Sequence, residues 1–225
     1  MPITPAVTPR SGQKADGRER PNSRGDSTRL LILLKAEELF AQRGIEAVPL
    51  RDIGVAAGQK NNVAVQYHYG DKENLLRQIT AHRVKATEEV RAELLADLFA
   101  TGTPPRVLDL VRVWVQALAC HLEEGNHYLA FLSRYVIERG SYLGLEGTGG
   151  GSTITFTAMV RRLLRDHPEA HADERWQVVM TSAVHELARY QNGLRSRTLA
   201  APLPDLIDDL VRFLAGGLEA APLIN

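Results

Sequence analysis

The sequence predicts an all-α protein, with a three-helix N-terminal domain built around a helix-turn-helix and a larger helical domain after it. Apolar residues recur three and four positions apart through most long segments, the spacing that gathers one buried face on a helix. Breaks such as Thr101-Gly102-Thr103-Pro104-Pro105 cut those segments into helix-like lengths. The stretch from Leu50 to Leu76, LRDIGVAAGQKNNVAVQYHYGDKENLL, fits two short helices, a glycine turn and the capped start of a third helix.

Residues 1–27 carry Pro2, Pro5, Pro9, Pro21, Gly12, Gly17 and Gly25 with almost no large apolar side chains. Nothing there offsets the entropy of ordering the chain, so a disordered, mildly basic tail is expected. Ser27 or Thr28 opens the first helix, whose apolar face is Leu30, Leu33, Leu34, Ala36, Leu39 and Phe40 and which closes at Gly44. In the second helix Leu50, Ile53 and Ala57 share one stripe, with Pro49 at the first helical position, where no backbone donor is needed. Gly58 supplies the positive φ that lets the chain turn sharply. In the third helix Ala64 and Val65 face inward, while Asn62 and Gln66, four apart, share an outward face with Asn61 beside them. Asp71 caps a long fourth helix running from Lys72 to about Leu98, with Leu76, Ile79, Val90, Leu94 and Leu98 inward. At about 1.5 Å per residue it spans roughly 40 Å and links the first domain to the second.

The outward face of the third helix bears on function. Carboxamides pair bidentately with adenine in the major groove, and the N-terminal residues of a helix are the ones that reach base edges there. Tyr67, His68 and Tyr69 add hydroxyl and imidazole donors suited to phosphates. With Arg51 and Lys60 they make a DNA-reading set of Arg51, Lys60, Asn61, Asn62, Gln66, Tyr67 and His68. The run from Leu30 through Leu76, with Glu38-Leu39-Phe40, Gly44-Ile45, Arg51-Asp52-Ile53, Ala57-Gly58, Tyr67-His68-Tyr69-Gly70 and Asp71-Lys72-Glu73, resembles the DNA-binding domain of the TetR (tetracycline-repressor-like) regulators. The chain departs from that pattern at Val48-Pro49, at Gln66 and by an apparent extra residue among Gln59 to Asn62. The resemblance implies a phosphate contact for Lys72, a palindromic operator, a homodimer and a small-molecule effector.

Charge is distributed accordingly. Residues 1–85 hold 14 Lys and Arg against 9 Asp and Glu, and residues 86–225 hold 13 against 18, so a neutral chain is +5 in its first part and −5 in its second. Counterion release from DNA needs positive charge at the contact, not over the whole protein. The basic tail, with Arg10, Arg18, Arg20 and Arg24, reads as a solubilising leader or an extra phosphate-binding arm. A single cysteine, Cys120, rules out a disulfide framework and suits a reducing cytoplasm. No stretch reaches the roughly 18 apolar residues of a membrane span.

After the break at residues 101–105, Val107, Leu110, Val111, Trp114, Val115 and Leu118 mark a fifth helix. Tyr128, Phe131, Leu132 and Tyr135 mark a sixth, ending near Gly140. Ser141 to Ser152, with five glycines, is expected to be a flexible loop, and Thr153 to Arg165 a seventh helix. Asp173 to Ser196 carries a seam close to a heptad, and Asp205 to Glu219 is apolar on two stripes, one of them Leu206, Leu210, Phe213 and Gly217. A helix apolar on two sides needs cover on both. That predicts a four-helix dimer interface through Val179, Met180, Ala183, Leu187, Leu206, Leu210, Phe213 and Gly217. The expected units are residues 1–27 as tail, 28–74 as DNA-binding domain and 75–225 as effector-binding and dimerisation domain.

Eight of the thirteen aromatic residues lie between Trp114 and Tyr190. Trp114, His121, Phe131, Tyr135, Phe156, Met159 and Trp176 have the makeup of an apolar pocket with a few orienting groups, or of plain core. The resemblance favours the pocket and implies an apolar or aromatic effector. Two other readings compete: a helical dimeric DNA binder with no effector, and a helical metal-dependent enzyme. The enzyme lacks a catalytic set. A turn at Gly125-Asn126 breaks the helix between His121, Glu124 and His127; His185-Glu186 lacks the second histidine of a zinc-protease helix; Gly147 to Ser152 has no preceding strand or lysine. No cofactor or metal is expected.

Overall fold

The computed structural model describes residues 23–59, 61, 63–140 and 150–221. These residues form nine helices and no strand: α1 (Ser23–Arg43), α2 (Leu50–Ala56), α3 (Ala64–Tyr69), α4 (Lys72–Ala100), α5 (Val107–Ala119), α6 (Tyr128–Arg139), α7 (Gly150–Leu163), α8 (Glu169–Ser196) and α9 (Leu203–Glu219). The first three pack together as the helix-turn-helix domain, and the remainder make the larger helical domain.

Local signals set the helix ends. Gly44, at φ 87°, ends α1 with its N–H on the Phe40 carbonyl at 2.9 Å. Asp71 caps α4 by accepting from Asn74 N at 2.7 Å. At the start of α5 the Asp109 carboxylate accepts the Arg106 N–H at 2.9 Å, tying off a donor the helix leaves unpaired. Several boundaries differ from expectation. α1 begins at Ser23, so the last residues assigned to the tail are helical, while residues 1–22 lie outside the described residues. Its inward face holds Leu33, Ala36, Leu39 and Phe40 as expected, with Ile32 fully buried in addition and Leu30 43% exposed. Gly150 to Ser152, placed in the loop, begin α7, and the rest of that loop lies outside the described residues. Pro168 is the N-cap of α8, which therefore starts four residues earlier than the apolar seam suggests. α4 extends to Ala100, 29 residues in all.

One continuous core runs through the molecule. α6 lies between α1 and α8, and α5 lies between α4 and α9, with α7 against α8 and α5. α6 thus joins the reading domain to the interior of the larger one. Phe40 of α1 and Phe131 of α6 meet across that junction with ring centroids 6.3 Å apart.

Candidate nucleic-acid interface

α3 is short, and its inward side is fixed by Val65 and Tyr69, 1% and 2% exposed. Gly54 on α2 faces this side, where a Cβ would meet Val65 Cγ2 at 3.5 Å, an ordinary contact. The Tyr69 hydroxyl donates to the Arg29 carbonyl at 2.7 Å, and the Arg29 guanidinium lies 5.3 Å from the centre of its ring. Tyr69 is therefore a strut between α3 and α1, not the phosphate donor that its place in the Tyr67-His68-Tyr69 run suggests. Gln66 and Tyr67 face outward, Tyr67 84% exposed, and His68 is half-buried with its ring edge-on to Tyr67 at 5.2 Å.

Among the described residues α3 begins at Ala64. The Asn61 side-chain oxygen accepts the Val63 N–H at 3.0 Å, and its backbone carbonyl accepts from Ala64 N at 3.1 Å, so Asn61 starts the turn into the helix. Lys60 and Asn62 lie outside the described residues. Arg51, at the start of α2, is exposed and pairs with Asp52 at 3.4 Å. Lys72 is half-buried, and its ammonium donates to the Ile45 carbonyl at 2.9 Å.

Ile45 is held from a second side by residues that sequence reasoning did not single out. The Glu138 carboxylate, at the end of α6, accepts the Ile45 N–H with both oxygens at 3.0 Å and the Glu46 N–H at 3.1 Å. Gly44 permits this approach, since a Cβ there would lie 2.6 Å from Glu138 Oε1. Next to it Arg139 reaches Glu46 at 3.0 Å and Glu73, in the first turn of α4, at 2.6 Å. Deeper in the junction, Glu37 is 1% exposed and receives Arg83 in a two-pronged pair at 2.8 and 2.9 Å, plus the His127 N–H at 3.2 Å. Thus α6 and α4 both grip the loop between α1 and α2. No spacing rule could have paired these residues, because they stand 46 to 93 positions apart.

The family model described as "Bacterial regulatory proteins, tetR family" matches residues 32–79, the segment that forms this head. Residues 32–79 thus match the N-terminal helix-turn-helix domain of the tetR family. Among solved structures, one of an HlyIIR mutant protein is similar in fold, with TM-score 0.53 and 16% identity over 88% of this chain and 100% of that one. A TetR-family transcriptional regulator from Rhodococcus sp. aligns at TM-score 0.41 and 16% identity, covering 85% of this chain and 97% of that one. A TetR-family regulator from Streptomyces coelicolor A3 aligns at 0.37 and 18%, covering 90% and 99%. No match was found among curated proteins. Among the described residues, no helix is long and apolar enough to cross a membrane.

In the larger domain, the seven residues expected around an effector do not form one cluster. Trp114, Phe156 and Trp176 are close-packed: Trp114 is edge-on to Phe156 at 5.5 Å and to Trp176 at 5.2 Å, and Phe156 lies parallel to Trp176 at 6.1 Å. The buried Arg91 guanidinium covers Trp114 at 4.6 Å and Phe156 at 5.7 Å and pairs with Glu88. Met159 is half-buried on α7 beside the core. Phe131 and Tyr135 belong elsewhere: at the junction with the helix-turn-helix domain Phe131 stacks with Tyr128 and lies tilted against Phe40 and Tyr135. Helix periodicity assigns a residue to a face but not to the helix opposite it. His121 is 3% exposed and stands edge-on to Tyr128 at 4.8 Å. Asn126 Nδ2 lies 3.4 Å from its Nδ1 and Thr87 Oγ1 lies 2.8 Å from its Nε2, a neutral ring that accepts from the amide and donates to the hydroxyl. Burial, reinforced by the Arg83 charge, lowers its pKa to about 4.

The residues assigned to the partner seam also divide. Val179, Met180, Ala183 and Leu187 are at most 3% exposed and fill this chain's own interior, so they do not form an open seam. Leu210 is buried as well and Leu206 half-buried, whereas Phe213 is 76% exposed and Gly217 has open space around it. The outward side of α8 and α9 carries Val178, 60% exposed, Phe213, Gly216 and Gly217. The apolar seam on α8 marks its packing against α6 and α9.

Proposed function

We propose that the chain is a repressor that binds a palindromic operator as a homodimer and is released when a small apolar or aromatic effector binds its larger domain. In this reading residues 28–74 form the reading domain and residues 75–225 the sensing and dimerisation domain. Gln66 and Tyr67 lead the contacts on α3, with His68, Arg51, Asn61, Lys60 and Asn62 around them. Lys72 has donors beyond the one engaged by Ile45 with which to meet a phosphate. The dimer forms through the outer side of α8 and α9, centred on Phe213, with Leu206 at its edge and Gly217 allowing close approach.

The observation that carries the reading is the hold of α6 and α4 on the Ile45 loop. A regulator of this kind needs a rigid connection between an interior that senses and a surface that reads, and Glu138 and Lys72 supply one. The two reading heads of a dimer must fall about 34–36 Å apart to enter successive major grooves. A shift of α4 relative to α6 changes that distance.

The test is selection from a random duplex pool with the purified chain, followed by sedimentation of the complex. A palindromic consensus bound by two copies is expected. A consensus without two-fold symmetry, or a monomer at low salt with no preference for any duplex, overturns the proposal.

A further inference from the structure

Two donors in the larger domain are left without acceptors. Trp114 is 6% and Trp176 1% exposed, and the Nε1 atom of each is buried with no hydrogen-bond partner. A buried donor left unpaired is unfavourable, and such groups in a folded protein call for a specific reason. Trp176 and Phe156 lie nearly parallel, 7° apart, and both stand edge-on to Trp114. An N–H to π contact within such a cluster is a weaker substitute for a bond to a charged acceptor. On Trp114 itself one face is covered by Arg91, a residue 4% exposed. Two indole N–H groups and a buried guanidinium thus gather their positive ends around one set of flat rings. Glu88, a third exposed, is one ionic partner of Arg91.

We infer that the effector is a small planar aromatic acid, its carboxylate accepting from the indole N–H groups of Trp114 and Trp176 beside Arg91 and its ring stacking with Phe156 and Trp176. This rests on the effector reading proposed above and narrows it from apolar to acidic aromatic compounds. The carboxylate supplies the acceptors the two donors lack, and its charge suits the guanidinium. The ring matches the flat surfaces that Phe156 of α7 and Trp176 of α8 present. Insertion separates those rings and displaces Arg91, which stands on α4, the helix whose first turn holds Ile45 through Lys72.

The chain contains two tryptophans and both lie in this cluster, so its intrinsic tryptophan emission reports this site alone. Titration of the full-length protein with benzoate, phenylacetate and 2-naphthoate, each beside its amide and its ammonium analogue, is followed by tryptophan emission and calorimetry. At least one acid should shift the emission and bind at least tenfold more tightly than its amide, with no binding by its ammonium analogue. Trp114→Phe and Trp176→Phe, checked for native helicity by circular dichroism, should each weaken that acid about tenfold by calorimetry. Amides binding as tightly as acids overturn the acid assignment and leave the broader effector reading standing. So does unchanged acid binding in both folded variants, which places the site elsewhere. If no acid perturbs the emission, the inference fails, whatever the operator selection returns.

Discussion

Replacing Glu138 with alanine tests the connection on which the proposed regulation depends. Its carboxylate accepts from two backbone donors, Ile45 N and Glu46 N. Glu46 is exposed, so water replaces the lost acceptor there at little cost. Ile45 is fully buried, and its N–H is left unpaired. An unsatisfied buried donor costs about 1–3 kcal/mol, so Glu138→Ala should lower stability to urea unfolding by about 2 kcal/mol. Glu138→Gln keeps one acceptor oxygen and should cost less. Gly44→Ala should approach the alanine variant from the other side of the contact, since its Cβ would lie 2.6 Å from Glu138 Oε1 at a φ of 87° that disfavours any side chain. The two changes act on one contact, so the double variant should lose less than the sum of the single ones. Glu138→Ala should also shrink the difference in operator affinity between effector-free and effector-bound protein, measured by fluorescence anisotropy on a labelled duplex. A stability loss under about 0.5 kcal/mol together with an unaltered effector response would refute the assignment of Glu138 as a transmitting contact.

Other substitutions test the reading head, the dimer and the buried histidine. Gln66→Ala should relax base preference at one position of the selected operator, and Tyr67→Ala should weaken binding to every sequence, both read by anisotropy; identical losses on all sequences would remove Gln66 from base reading. Phe213→Asp, at an exposed position, should leave circular dichroism unchanged and shift sedimentation toward monomer; an unaltered dimer would place the interface elsewhere. The His121 imidazole titrates near 6.5 when unfolded and near 4 when folded, so the unfolded chain binds the extra proton between those values. Stability is complete above about pH 6.5 and declines as pH falls toward 4, by on the order of 3 kcal/mol. His121→Gln should flatten that part of the urea-midpoint profile relative to native protein, and parallel profiles would contradict the assignment.

What could be read from the sequence was local. Asp71 as a cap, Gly44 and Gly58 as turn glycines and the inward stripe of Ile53 and Ala57 each depend on a few neighbouring residues, and each holds in the fold. The inward side of the reading helix was legible in Val65, while the role of the Asn61 side chain in turning the chain before Ala64 was not. Leu30 and Ile32 show the limit of periodicity in a helix rich in leucine, where several rotations bury similar area. The apolar seam on α8 was visible, but a buried seam looks the same whether the cover is α6 and α9 or a second chain. The Glu138 contact and the Glu37–Arg83 pair were invisible, since a charged residue on a helix reads as solvated until its distant partner is known.

The peptide unit at Ile45 has its N–H held from α6 by Glu138 and its carbonyl held from α4 by Lys72. Those two helices therefore share a single hinge pin. When they travel together the pin is carried along and the reading surface moves as a solid body; when they slide past each other the pin is pulled both ways until one hydrogen bond gives. Such a joint passes concerted displacement of the two helices and releases under shear.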